Sequence, residues 1–122
     1  MDIGGGAFYS CSKLTTVSIP LCTYIGNYAF AYCSSLTTVS FPSCTSIGSF
    51  TFRACYRLVS LYLTGSSIVF LSHSNAFSST PIEGYTTYTE GVYGSIFVPS
   101  SLYSTYIAST NWVYFSSRFV SV

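Results

Sequence analysis

Residues able to act as nucleophile, base or metal ligand are few in this chain. They are Cys11, Cys22, Cys33, Cys44 and Cys55, one histidine (His73), and three carboxylates (Asp2, Glu83 and Glu90). Nucleophilic catalysis needs a base beside the nucleophile and a third group to orient that base. Asp2 lies far along the chain from His73, and both glutamates fall in a Gly- and Tyr-rich stretch. His73, in "SHSN", therefore reads as a loop residue. A zinc site draws its ligands in pairs two to four residues apart, whereas these cysteines recur at intervals of 11 and 22. The glycines at 4–6 have no lysine after them and no strand before them, so they form no phosphate cradle. The sequence gives no grounds for an enzyme, a metal or a cofactor.

The cysteine spacing is informative about architecture instead. "CSKLTTVSIPLCTYIG" at 11–26 returns as "CSSLTTVSFPSCTSIG" at 33–48. At a period of 22, Ile3-Gly4, Ile25-Gly26 and Ile47-Gly48 form one column, and Phe8, Phe30 and Phe52 another. Leu14, Leu36 and Leu58 follow, then Val17, Val39 and Leu61, then Ile19, Phe41 and Leu63. The columns are apolar and the positions between them drift through Ser, Thr, Tyr and Ala. That is the mark of a solenoid, in which a single coil cannot bury its apolar face and stacked coils share one core.

Within each coil, "LTTVSI" alternates with period 2, as a half-buried strand does. Stacking places these strands in a parallel sheet. The "IGxxAFxxC" half suits a turn followed by a short helical or 3₁₀ segment on the opposite side. A fourth coil is traceable through Ala76-Phe77 and Ile82, is interrupted by a loop over about 83–95, and resumes with Ile96, Val98 and Pro99. The four strands centre on Val17, Val39, Leu61 and Ile96. Residues 1–99 read as solenoid and 100–122 as a cap, with Ser100 as helix N-cap, Leu102, Tyr106 and Ile107 on one helical face, and Trp112 and Phe115 shielding the last coil.

Composition narrows the function classes. Only 6% of residues are charged, against roughly 25% in an average soluble protein, and 24 Ser and 14 Thr take their place. A net charge of +1 provides no electrostatic footprint for nucleic acid or anionic lipid. The longest apolar runs, such as "IVFL" at 68–71, fall far short of the roughly 20 residues that cross a bilayer, so membrane insertion is not expected. "MDIGGGAF" has neither the basic nor the apolar region of a signal peptide. The chain reads as a piece of something larger, or as a part exported or assembled by another route.

The cysteine columns allow either buried thiols or disulfides. Equivalent Cα atoms in stacked coils lie about 4.8 Å apart, within bonding range, but side chains in one column point the same way. Buried thiols acting as small hydrophobes are the preferred reading.

"IGNYAFAYCSSLTTVSFP" resembles the BspA-like leucine-rich repeat, Ile-Gly-x-x-Ala-Phe-x-x-Cys-x-x-Leu-x-x-Val-x-Ile-Pro. The likeness runs from residue 3 to about 99, and the tail "VPxSL…Y…TNW…SSR" is similar to the ends of gut-bacterial members. Thr64 departs from the motif's Pro, Thr51 departs from its Ala, and no N-terminal cap is recognisable. The resemblance implies a leucine-rich-repeat solenoid (an α/β-type right-handed coil) at the cell surface or extracellular, concerned with adhesion to host proteins or other cells.

Strand residues pointing away from the core would form ladders on the concave face: Thr16, Thr38 and Ser60, then Ser18, Ser40, Tyr62 and Phe97. Strand-favouring hydroxyls on such a face can be merely solvated. The adjacent Tyr62 and Phe97 favour a ligand-binding role, because exposed aromatic pairs cost solubility. Tyr85, Tyr88 and Tyr93 give the loop the composition of a recognition surface. The expected role is a non-enzymatic module of a bacterial surface adhesin that binds a host or microbial surface protein or glycan. The alternative is a structural block that docks, or self-associates, through its uncapped N-terminal coil in a surface or phage-like assembly.

Overall fold

The computed structural model describes residues 1–122. The repeat builds two parallel sheets. The longer contains β2 (Thr16–Ser18), β4 (Thr38–Ser40), β6 (Ser60–Tyr62), β8 (Ser95–Val98) and β9 (Phe119–Ser121), in that order. The shorter contains β1 (Asp2–Ile3), β3 (Tyr24–Ile25), β5 (Ser46–Ile47) and β7 (Phe70–Leu71). In the longer sheet Val17, Val39, Leu61 and Ile96 lie in one register, as their column requires. A slip of one residue would turn the whole column out to water.

The shorter sheet was not foreseen from the sequence, and its β1 stands directly before the glycines at 4–6, where no strand was expected. It comes from the "YI" and "SI" pairs before the column glycines, and two-residue strands show no alternation to read. Its inward column is Ile3, Ile25, Ile47 and Leu71, all buried. A Cβ built on Gly26 would stand 2.7 Å from the amide nitrogen of Gly5, and one on Gly48 2.8 Å from that of Asn27. The repeated glycine thus lets successive backbones approach.

Opposite the longer sheet, the "IGxxAFxxC" segments are mostly hydrogen-bonded turns rather than helices. Only Ser74–Phe77 closes into a 3₁₀ helix, with His73 Nδ1 accepting the Asn75 N–H at 3.0 Å. Left-handed φ at Ser10, Tyr28, Tyr32 and Ala54 interrupts helical bonding and turns their amides toward the neighbouring unit, where they donate to Ala31, Ser49, Arg53 and Ser78. Phe8, Phe30 and Phe52 accordingly donate their N–H groups to Ala29, Thr51 and Ala76 at 2.7–2.9 Å. Their rings stack with Phe77 along the core, with centroids 5.1, 5.6 and 5.6 Å apart. Thr51 is tolerated in the Ala column because its hydroxyl donates to Gly48 O at 2.7 Å.

Beyond Pro99 the chain forms α1 (Tyr103–Tyr106) and a 3₁₀ run, Trp112–Arg118, before β9. Ser100 is not the N-cap. Leu102 holds that position with no side-chain bond, while the Ser100 amide donates to Val122 O at 3.2 Å. β9 draws the local chain onto the sheet and leaves Ser100 at a sheet end.

The two sheets terminate differently here. β9 extends the longer one. At the shorter one, Tyr106 Oη accepts the Val69 N–H at 2.9 Å, Trp112 Nε1 donates to Val69 O at 2.7 Å, and Asn111 Nδ2 donates to Leu71 O at 2.7 Å. Side chains thus satisfy backbone groups that otherwise leave a sheet edge open. Trp112, Phe115 and Tyr106 are buried, and Trp112 and Phe115 pack on Phe77.

Candidate binding surface

On the outward side of the longer sheet, strand pairing aligns Thr16, Thr38, Ser60 and Ser95 in one row, and Ser18, Ser40, Tyr62, Phe97 and Val120 in the next. Alternation with the buried Val39, Leu61 and Ile96 sends both rows outward. Tyr62 and Phe97 stack with centroids 4.5 Å apart and planes 13° apart. No hydrogen bond within the chain uses the hydroxyl of Thr16, Ser18, Thr38, Ser40 or Ser60, whereas Thr37 and Thr45 donate theirs to Thr15 O (3.1 Å) and Thr23 O (3.0 Å). No charged residue occurs in β2, β4, β6 or β8.

The loop tyrosines do not form one group. Tyr85 and Tyr88 pack on Tyr56 at 5.3 and 5.0 Å, with the Arg57 guanidinium over Tyr88 at 5.5 Å. Tyr93 lies under Arg118, 4.3 Å from ring centroid to guanidinium carbon, and Arg118 Nε donates to Ile82 O at 3.0 Å. Tyr88 and Tyr93 remain 50% and 56% exposed. The loop is therefore pinned to the solenoid at two places with a tyrosine edge showing at each. Tyr56, Arg57, Arg118 and Val120 were not singled out from the sequence, since nothing in their spacing marks them.

The residues with catalytic potential are dispersed. The Asp2 carboxylate accepts the Thr23 hydroxyl at 3.4 Å, Glu83 accepts the Ser79 N–H at 3.3 Å, and His73 caps the 3₁₀ helix. All five cysteines are free, four of them buried and Cys11 partly so. Their packing involves more than hydrophobic contact. Cys33 Sγ donates to Phe8 O at 3.1 Å and Cys55 Sγ to Phe30 O at 3.0 Å, each bridging to the preceding unit. Burial pushes the Cys44 thiol up to about 11 and raises Cys22 as well. The Cys33 side chain and burial together raise Cys55. Burial also raises the Tyr106 phenol. These are the shifts of neutral groups held in a core.

A cavity of about 220 Å³ lies between the turns at 42–45 and 65–67. It is smaller than a usual small-molecule pocket, roughly 300–1,000 Å³, and its lining carries no charged side chain. No helix is long and apolar enough to cross a membrane.

Two parallel sheets, stacked turn by turn on one apolar column set, define a small leucine-rich-repeat solenoid, a scaffold that presents extended surfaces to partners. The family described as "BspA type Leucine rich repeat region (6 copies)" matches residues 1–115, and the chain belongs to that family. No curated protein matches the chain.

Proposed function

We propose that the chain is a non-enzymatic binding module of a bacterial adhesin, displayed extracellularly or at the cell surface. It presents the outward face of the longer sheet and the 83–95 loop to a protein or glycan on host or microbial cells. In this reading residues 1–99 form the solenoid and 100–122 its cap. The observation that carries it is the uncharged ladder of unpartnered hydroxyls running into the stacked Tyr62 and Phe97. Fluorescently labelled protein should bind cultured epithelial or bacterial cells saturably. The double variant Tyr62→Ala/Phe97→Ala should lose at least tenfold in affinity with its fold intact by circular dichroism. Undiminished binding by that variant would overturn the assignment.

One observation favours a structural role as a second reading. Phe8 is 37% exposed where Phe30 is fully buried, and Cys11, Leu14, Val17 and Ile19 are only partly buried. Such a column end can accept another coil or subunit. Sedimentation and hydrogen exchange test it: association accompanied by protection of residues 3–19 supports docking there. A monomer at high concentration, with 3–19 as well protected as 36–41, refutes it.

A further inference from the structure

Granted the binding role proposed above, the geometry points to a neutral carbohydrate as the ligand, seated on a floor formed by Thr16, Ser18, Thr38 and Ser40 against the ring face of Tyr62. The ladder is graded. Its first two rungs carry serine and threonine, and at the third the surface steps up to an aromatic ring. One face of that ring is held against Phe97 at 4.5 Å, so the ring is oriented before any ligand arrives and loses little rotamer freedom on binding. Its other face looks along the ladder across Ser40, a side chain too short to cover it. Two strand spacings make the floor roughly 10 Å long.

A sugar ring matches both walls of this step. Its C–H face is apolar and weakly positive, which suits the negative face of an aromatic ring. Its rim of hydroxyls needs partners that both donate and accept, which is what serine and threonine provide. The hydroxyls of Thr16, Ser18, Thr38 and Ser40 are not used within the chain, although Thr37 in the same strand region spends its own on Thr15 O. Anionic ligands are disfavoured because β2, β4 and β6 contain no lysine or arginine. A protein hot spot would centre on aromatic and Arg anchors enclosed by a rim, and this floor is hydroxylic.

The test is affinity electrophoresis of the whole chain through gels containing hydroxyethylcellulose, xyloglucan, yeast mannan or laminarin, with heparin and hyaluronan as anionic comparators, run alongside the cell-binding assay. Retardation by at least one neutral polysaccharide is expected. Tyr62→Ala should weaken it at least tenfold. Ser40→Tyr, which covers the exposed ring face of Tyr62 with a residue that favours strands, should abolish it without lowering the melting temperature. Retardation by heparin or hyaluronan alone, or retardation unchanged in both variants, overturns the inference. If cell binding is lost in Ser40→Tyr and on protease treatment of the cells, yet no polysaccharide retards the chain, the binding face stands and the carbohydrate is wrong. If neither cells nor polysaccharides bind, both readings fall.

Discussion

Replacing Phe30 by alanine tests the stacked core at its most enclosed ring. Phe30 is fully buried, with Phe8 on one side at 5.1 Å, Phe52 on the other at 5.6 Å, and Phe41 tilted against it at 6.0 Å. Both ring faces are occupied, so the backbone ladder on either side keeps the site from collapsing. Truncation should therefore cost the transfer term plus most of the cavity term, about 3–5 kcal/mol. Phe8→Ala provides the internal control. Phe8 sits in the same column but is 37% exposed and stacks on one side only. Its void opens to water, so only a partial transfer term is lost, about 1–2 kcal/mol. Ser18→Ala, in an outward row, should stay within about 0.5 kcal/mol. Urea unfolding would be followed by far-ultraviolet circular dichroism and by the fluorescence of Trp112, the single tryptophan. Two probes are needed because a repeat array can unfold from one end. A ranking of Phe30 well above Phe8, and Phe8 above Ser18, is expected. Equal costs for Phe30→Ala and Phe8→Ala would refute the column of rings, since the two differ only in what covers them.

Gly48→Ala should destabilise by about 1–3 kcal/mol, as overpacking does, because its Cβ would meet the Asn27 backbone at 2.8 Å; denaturant midpoints check this, and a neutral effect would contradict the close approach of the units. Tyr106→Phe removes only a phenol oxygen but leaves the Val69 N–H without its 2.9 Å acceptor, at a cost of about 1–3 kcal/mol for a buried unpaired donor. Faster hydrogen exchange at Val69, with Ile25 unchanged, is the signature. The thiols make stability pH-dependent. Cys44 titrates at about 11 in the fold against 9.0 in the open chain, so its contribution is complete below pH 9 and is lost as pH rises toward 11. Denaturation midpoints should fall across that window and fall less in Cys44→Ala. Five thiols should react with a thiol reagent in urea without reductant, and three or fewer would mean a disulfide. In the native state Cys11 should react fastest, being the one cysteine that is only partly buried.

The sequence by itself determined the repeat of 22, the register of the longer sheet and the identity of the core. Those follow from one physical fact: apolar residues at a fixed period have no place to go except against their own copies. Val17, Val39, Leu61 and Ile96 could therefore be aligned on the page and lie aligned in space. Membership in the BspA type repeat family followed from the same columns. The tertiary structure alone decided where the backbone's hydrogen bonds go. The shorter sheet is built from residue pairs too brief to show alternation. The turns of "IGxxAFxxC" alternate bonds within themselves with bonds to the next unit, because left-handed residues such as Tyr32 and Ala54 redirect their amides. The segment Phe119–Ser121 became a fifth parallel strand because β8 offered it an open edge, and no residue in it announces that partner. Tyr106, Asn111 and Trp112 finish the shorter sheet through side-chain bonds to Val69 and Leu71, between 37 and 43 residues away in sequence. Burial is a property of residue type and period, and it can be read along a chain. A hydrogen bond needs a donor and an acceptor at one point in space, and only folding brings those together.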